Sequence, residues 1–329
     1  MYAPDFWWTD PSAPDWKARA LAPTAALWRL GAAIRQWRAR PQSVPVPVLC
    51  IGNVVAGGAG KTPLTAAIVR RLEAAGRRPH VLSRGYGGRV RGPHRVNPGS
   101  DRFDMVGDEP LTLAHLAPTW IARDRQLGAV AAAEAGAGVI VMDDGFQNPH
   151  LAKTASVLVV DAKQGFGNGR VIPAGPLREP VAEGVARADA VVVIGTPADT
   201  EALLTLWPTL RDRPVVQAEM RPLPTGLPLA GEPVVAFAGI GRPEKFFATL
   251  AGMGAQLLVR EAFPDHHRYS ESILWRLRRT AERHGAMLVT TEKDAVRLPD
   301  RHRRQVLVVQ IALELADWSA LDQVLNRLC

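Results

Sequence analysis

The chain has 329 residues, 47% of them apolar and 22% charged, with a formal net charge of +8. That length accommodates two units with separate cores, and the composition excludes a disordered or low-complexity chain. No apolar run reaches the ~18 residues of a spanning helix, and two cysteines, Cys50 and Cys329, exclude a disulfide framework and point to a reducing, cytosolic setting.

The excess of positive charge suits an anionic partner, whether phosphorylated substrate, anionic lipid or nucleic acid; arginine as plain solubilising charge accounts for it equally. The N-terminal stretch lacks the basic-then-apolar layout of a secretory signal. It carries Trp7, Trp8, Trp16, Trp28 and Trp37, and all six charged residues from Lys17 to Arg40 are basic. Leu27, Leu30, Ile34 and Trp37 recur at helical spacing, with Arg29, Arg35 and Arg38 largely on other faces. Such a helix either lies in a membrane interface or packs on the domain core with its arginines solvated.

Residues 44–51 read as a buried strand and 64–72 as an amphipathic helix. Between them stands Gly52-Asn53-Val54-Val55-Ala56-Gly57-Gly58-Ala59-Gly60-Lys61-Thr62-Pro63. Strand, glycine-rich loop, Gly-Lys-Thr and helix form the arrangement that cradles nucleoside triphosphates. Glycines let backbone N–H groups turn to the phosphates, and the helix N-terminus adds partial positive charge. Lys61 is expected to reach the outer phosphates and Thr62 to hold Mg²⁺. The usual first glycine of such a loop is Val55 here; the Gly57-Gly58 pair offers the flexibility instead.

Further strands are expected at 79–83, 119–122, 139–142, 157–160 and 190–194, alternating with helices such as 64–75 and 125–135. This alternation predicts a parallel sheet with helices on both faces. Residues 208–233 are proline-rich, with a strand at 215–220, and read as a linker or β-ribbon. A second, smaller α/β series follows, with strands at 234–238, 255–259, 287–290 and 306–311. The expected division is 1–215 and 216–329.

Several polar clusters fall at the ends of these elements. Asp143-Asp144-Gly145-Phe146-Gln147 closes an apolar strand, where a nucleotide hydrolase or kinase holds Mg²⁺; adjacent carboxylates point apart, so one serves the metal and the other a neighbouring role. Gly107-Asp108-Glu109-Pro110 supplies another acidic pair. It reads either as a helix cap, with Asp108 capping, or as the carboxylates that a kinase needs for proton transfer and metal. Arg84 in Ser83-Arg84-Gly85-Tyr86-Gly87-Gly88 and Arg178 in a proline-punctuated loop are candidates to answer phosphate charge. Phe263-Pro264-Asp265-His266-His267 and Thr290-Thr291-Glu292-Lys293-Asp294 end strands of the second series and would face a cleft if the units hinge at the ribbon. No zinc-type ligand spacing is present.

Taken in order, these segments, with Phe237-Ala238-Gly239-Ile240-Gly241-Arg242-Pro243, resemble the tetraacyldisaccharide 4′-kinase family over nearly the whole chain. That family also lacks a glycine at the place of Val55. The resemblance implies a phosphate-loop kinase fold and an enzyme using ATP and Mg²⁺. The enzyme would work at the cytosolic face of the inner membrane, phosphorylating the 4′-hydroxyl of an acylated disaccharide 1-phosphate. It implies no nucleic-acid partner and no obligatory protein partner. It places Asn53, Gly57, Gly58, Ala59, Gly60, Lys61, Thr62 and Pro63 around the nucleotide, and Thr62, Glu109 and Asp143 around the metal. Asp108 and His266 become the catalytic pair with Lys61, and His267 matches the family histidine less well. Arg84, Arg125, Arg178, Asp144 and Gln147 fall to the substrate, with Arg123 close to Arg125. A regulatory or chaperone-like phosphate-loop NTPase is the alternative. It often has lysine where this chain has Ala56.

Overall fold

The structure, a computed structural model, describes residues 3–328; Cys329 lies outside them. Among the described residues thirteen strands form two sheets. In chain order they are β1 (Val48–Gly52), β2 (Pro79–Ser83), β3 (His94–Arg95), β4 (Thr119–Ile121), β5 (Val139–Asp143), β6 (Ala155–Asp161) and β7 (Ala190–Ile194). There follow β8 (Val215–Pro222), β9 (Pro233–Ala238), β10 (Gln256–Ala262), β11 (Met287–Thr291), β12 (Leu307–Val309) and β13 (Ile311–Leu315).

The larger sheet has the order β13-β8-β7-β6-β1-β5-β2-β4-β3, parallel except at its two edges. Its central strands are buried along their whole length, as a parallel sheet covered on both faces requires. Side chains alternate between the faces. Leu49 and Ile51 meet Leu64, Ile68 and Leu72 of the helix Lys61–Ala74, whereas Val48 and Cys50 join the core on the opposite face with Ala129 and Ala132 of the helix Arg125–Glu134. Burial pushes the Cys50 thiol up to about 11, so it is an inert core side chain.

The smaller sheet is wholly parallel, in the order β10-β9-β11-β12. Phe246, Phe247 and Leu250 of the helix Pro243–Gly252 cover one face, and Leu274, Leu277 and Ala281 of the helix Glu271–Arg283 cover the other.

Two expectations are corrected by this topology. The chain does not divide at 215/216: β8 continues the larger sheet, and β13 returns to pair antiparallel with it. The helix Ser319–Asn326 then packs Leu321, Val324 and Leu325 into the larger core. The single strand expected at 306–311 is two. β12 pairs with β11 in the smaller sheet, and after Gln310 the chain crosses to β8 as β13. The run Val306 to Leu313, interrupted only by Gln310, hides this crossing because both halves have strand composition. The ribbon β8–β13 is thus the double connection between the units.

The N-terminal tryptophans separate into two sets. Trp7 Nε1 donates to the Pro173 carbonyl at 3.0 Å, and Trp8 packs on the larger core. The helix Ala22–Arg38 buries only Ala25. Leu27, Leu30, Ile34 and Trp37 all stand exposed, Trp37 at 83%. No helix among the described residues is long and apolar enough to cross a membrane.

Gly52 ends β1 where a Cβ would stand 2.5 Å from Phe146 Cβ and 3.1 Å from its backbone nitrogen. Gly52→Ala should therefore destabilise the protein by about 1–3 kcal/mol through overpacking. Urea unfolding measures it, and an unchanged midpoint would mean that the 144–147 turn yields freely.

Candidate active site

The pairing of β1 with β5 on one side and β6 on the other brings the carboxyl ends of three strands together. Ligands in open α/β sheets bind at such ends. The loop after β1 starts extended. Val55 forms an antiparallel bridge to Leu177, and Ala56 N donates to the Pro176 carbonyl at 2.8 Å. Val55 is buried and makes no left-handed turn, which is why a β-branched residue serves there. The left-handed region begins later, at Gly57 (φ 138°) and Gly60 (φ 86°). Lys61 opens the helix Lys61–Ala74, with Thr62 and Pro63 in its first turn, where N–H groups have no helical partner. Lys61 Nζ lies 3.3 Å from Asn53 Oδ1 and 3.6 Å from Asp144 Oδ1.

Asp143 and Asp144 diverge as their adjacency requires. Asp143 is buried and accepts a hydrogen bond from Thr65 Oγ1 at 3.0 Å. Burial, and then the negative charge of Glu109, push its carboxyl up to about 7 against the pull of Lys61. Asp144 sits at φ 54° and turns to Arg178, whose Nη1 is 2.9 Å from Oδ1. Burial alone would raise the Asp144 carboxyl, but Lys61 and Arg178 together hold it below its usual range. Gln147 braces the group. Its Oε1 accepts from Arg178 at 3.0 Å, and its Nε2 donates to the Asn53 carbonyl at 2.7 Å and to Glu179 at 2.8 Å.

Arg125 is buried nearby, donates to the Ala122 carbonyl and leaves its Nε without a partner. Burial first, and then the charge of Arg84, bring its guanidinium down to about 10, against Asp144 and Asp143. Arg84 and Arg123 are both exposed. A cavity of about 550 Å³, lined by Arg38, Arg40, Arg123, Arg125, Asn148 and His150, opens between this edge and the end of the N-terminal helix.

The smaller unit completes the site. Gly107, at φ 94°, occupies the cap position and Asp108 is the first residue of the helix Asp108–Leu113, so Asp108 is not the cap. A Cβ on Gly107 would lie 2.5 Å from the Tyr86 carbonyl. Asp108 is 3% exposed. Its Oδ1 accepts from Glu109 N at 3.0 Å, and its Oδ2 receives His266 Nδ1 at 2.9 Å, Arg297 Nε at 3.1 Å and, closer still, Arg297 Nη2. Burial alone would raise this carboxyl. The His266 hydrogen bond and the charges of Lys293 and Arg297 outweigh it and hold Asp108 well below the usual carboxylate range. Lys293 Nζ reaches Glu109 Oε1 at 2.9 Å. Arg297 is itself fixed by the Gly239 carbonyl at 2.7 Å and by Asp294 Oδ1 at 3.1 Å.

The two histidines part company. His266, at φ 60°, faces Asp108 and Tyr86. His267 stacks on Phe263 with centroids 4.7 Å apart and has its charged form disfavoured by burial, so it is a packing residue. The sequence reading missed Arg297. Its one signal is the Asp294/Arg297 spacing after a strand, which is common on any helix.

Donor chemistry fits a hard cation. Thr62, Glu109 and Asp143 offer only oxygen, as Mg²⁺ prefers. Among the described residues no group of three or more His, Cys, Asp or Glu forms a ready-made cage.

A phosphate-type loop facing buried carboxylates across two α/β units defines the protein as a phosphotransferase of the nucleotide-dependent class. The family model for tetraacyldisaccharide-1-P 4′-kinase matches residues 17–329, and the chain belongs to that family. It is 51% identical to the tetraacyldisaccharide 4′-kinase of Dinoroseobacter shibae, over 100% of this chain and 98% of that protein. It is 50% identical to that of Jannaschia sp., over 99% of this chain and all of the other. The crystal structure of "apo" form LpxK from Aquifex aeolicus in complex with ATP superposes with a TM-score of 0.77 at 26% identity, covering 94% of this chain and 99% of that one. The protein is a kinase of the lipid A pathway.

Removing Arg297 would take the shared guanidinium from two buried carboxylates, Asp108 and Asp294. Arg297→Ala should cost about 3–5 kcal/mol, read by thermal unfolding. The half-exposed Arg178→Ala should cost under about 1 kcal/mol.

Proposed function

We propose that the protein transfers the γ-phosphate of ATP to the 4′-hydroxyl of tetraacyldisaccharide 1-phosphate, with the roles divided between the two units. The observations that carry this are the Lys61–Asp144 pair at the phosphate-type loop and the Asp108–His266 pair, linked through Glu109, the neighbour of Asp108, whose charge acts on Asp143. Residues 57–62 cradle the phosphates and Lys61 neutralises the outer ones, with Asn53 holding the loop. Thr62, Asp143 and Glu109 are the residues that would hold Mg²⁺, which would supply charge neutralisation to the transferring phosphate.

In the transfer the 4′-oxygen bonds to the γ-phosphorus, the bond to the bridging oxygen breaks, and its electron pair leaves on ADP. The hydroxyl proton goes to the Asp108–His266 pair. Both Asp108 oxygens are already hydrogen-bonded and the carboxylate is buried, whereas the His266 side chain is 34% exposed. The ring therefore takes the proton, and Asp108 fixes its tautomer and compensates its charge.

Arg178, Gln147 and Arg84 line the acceptor side. The basic cavity at Arg125 suits the 1-phosphate of the acceptor. The exposed Leu27-Leu30-Ile34-Trp37 face, flanked by arginines, suits an interface of anionic lipid at the inner membrane's cytosolic face.

The test is a transfer assay with ATP, Mg²⁺ and tetraacyldisaccharide 1-phosphate in detergent, scored as bisphosphorylated product. Lys61→Ala, Asp108→Ala and His266→Ala should each lower kcat by about 10²–10⁴-fold. The Asp108/His266 double variant should be no worse than the poorer single one, because the pair acts as a unit. Full activity of Asp108→Ala would refute the assignment.

Leu30→Ser/Trp37→Ser should reduce flotation with phosphatidylglycerol vesicles by about tenfold, since each removes exposed apolar area. Equal flotation of the variant and the parent would show that this face does not meet lipid.

A further inference from the structure

The phosphate-type loop is flanked unequally. On the β5 side lie Asp143 and Asp144, with Lys61 and Arg178 on Asp144. On the β6 side stands Asp161, the last residue of that strand and nearly buried. Its partners come from the smaller unit. Arg242 Nη2 lies 2.6 Å and Lys245 Nζ 2.7 Å from the same oxygen, Asp161 Oδ2. Arg242 Nη2 also approaches the Gly58 carbonyl at 3.5 Å. Two cations thus share one carboxylate, and a surplus positive charge stands at the tip of the loop.

We propose that Arg242 is a catalytic residue that reaches from the smaller unit to the outer phosphates of ATP, and that Asp161 holds it beside the loop until they arrive. The proposal rests on residues 57–62 being the ATP site. A guanidinium has five donors in a planar fork, so Arg242 can keep one on Asp161 while others turn to phosphate oxygens. Its position at Gly58, across the loop from Asp144, neutralises the phosphate face that Lys61 does not occupy. An arginine supplied to the transferring phosphoryl group in this way stabilises the charge that develops in the transition state. Lys245 makes the arrangement workable: it stays on Asp161, so departure of Arg242 leaves no buried carboxylate unpaired. Through Arg242 the smaller unit then adds its own contact to ATP, at the end of β6 where Asp161 stands.

The experiment compares Arg242→Ala, Arg242→Lys and Asp161→Asn with Lys61→Ala as the control. Matched near-UV circular dichroism confirms folding, which the retained Lys245–Asp161 pair favours for the Arg242 variants. Two readouts are taken: kcat and KM in the transfer assay, and equilibrium affinity for a non-hydrolysable ATP analogue and for ADP without lipid. Arg242→Ala should lose about 10²–10³-fold in kcat. It should also lose most of its preference for the ATP analogue over ADP, at least about fivefold, while ADP affinity holds. Arg242→Lys should recover only part of kcat, since a point charge replaces a fork. Asp161→Asn should bind the ATP analogue more tightly. A kcat within about threefold of the parent in Arg242→Ala, with the ATP preference intact and Lys61→Ala inactive, overturns the role of Arg242 alone. An active Lys61→Ala overturns the ATP site and this proposal with it.

Discussion

A carboxylate buried between two α/β units must be neutralised by groups brought to it, and Asp108, carried by the larger unit, takes its charged partners from the smaller one. Arg297, with no exposed side-chain surface, and His266 both bond its Oδ2. An unpaired charge in that position would cost several kcal/mol, so the arrangement holds the units in one relation as firmly as it holds the side chain. Asp294, the Gly239 carbonyl and Lys293 on Glu109 extend the same network. The carboxyl ends of the smaller sheet's strands therefore face those of the larger, which is the geometry a two-substrate transfer needs.

Within the larger unit the controlling feature is strand order. Because β1 lies between β5 and β6, the loop after it is bordered by Asp143 and Asp144 on one flank and by Asp161 on the other. Charge is then distributed by burial. Asp143 is raised toward neutrality by burial and by the charge of Glu109, and Asp144 is held ionised by Lys61 and Arg178. The departure at Val55 has a plain cause, since its backbone is spent on an extended bridge to Leu177 and the turn is left to Gly57 and Gly60. The proposed phosphate contact of Arg242 would add to this a charge that only the smaller unit can deliver.

The N-terminal segment shows two kinds of tryptophan with one composition. Trp7 is tied to the Pro173 carbonyl, whereas Trp16, Trp28 and Trp37 stand exposed. An exposed apolar face of this size on a helix is costly in water, and lipid is the proposed cover because arginines flank it.

Much was legible beforehand. The strands 79–83 and 190–194 and the glycine loop follow from local periodicity and from turn chemistry that only glycine permits. The carboxylates Asp143 and Asp144 were placed by their position at a strand end. What depended on contacts across the chain was not legible. The residues by themselves left Asp108 between a cap and a kinase carboxylate, and only the family resemblance paired it with His266, 158 residues away. Arg297 is 189 residues from Asp108, and its sequence surroundings are those of any surface helix. The crossing at Gln310 left no mark, because a strand's composition does not say which sheet it joins. The sequence determined the local chemistry: a loop able to cradle phosphate, acids at strand ends, a basic tryptophan-bearing helix. Tertiary structure alone decided which charges are buried together, because burial and pairing are properties of the whole assembly of elements and not of any one of them.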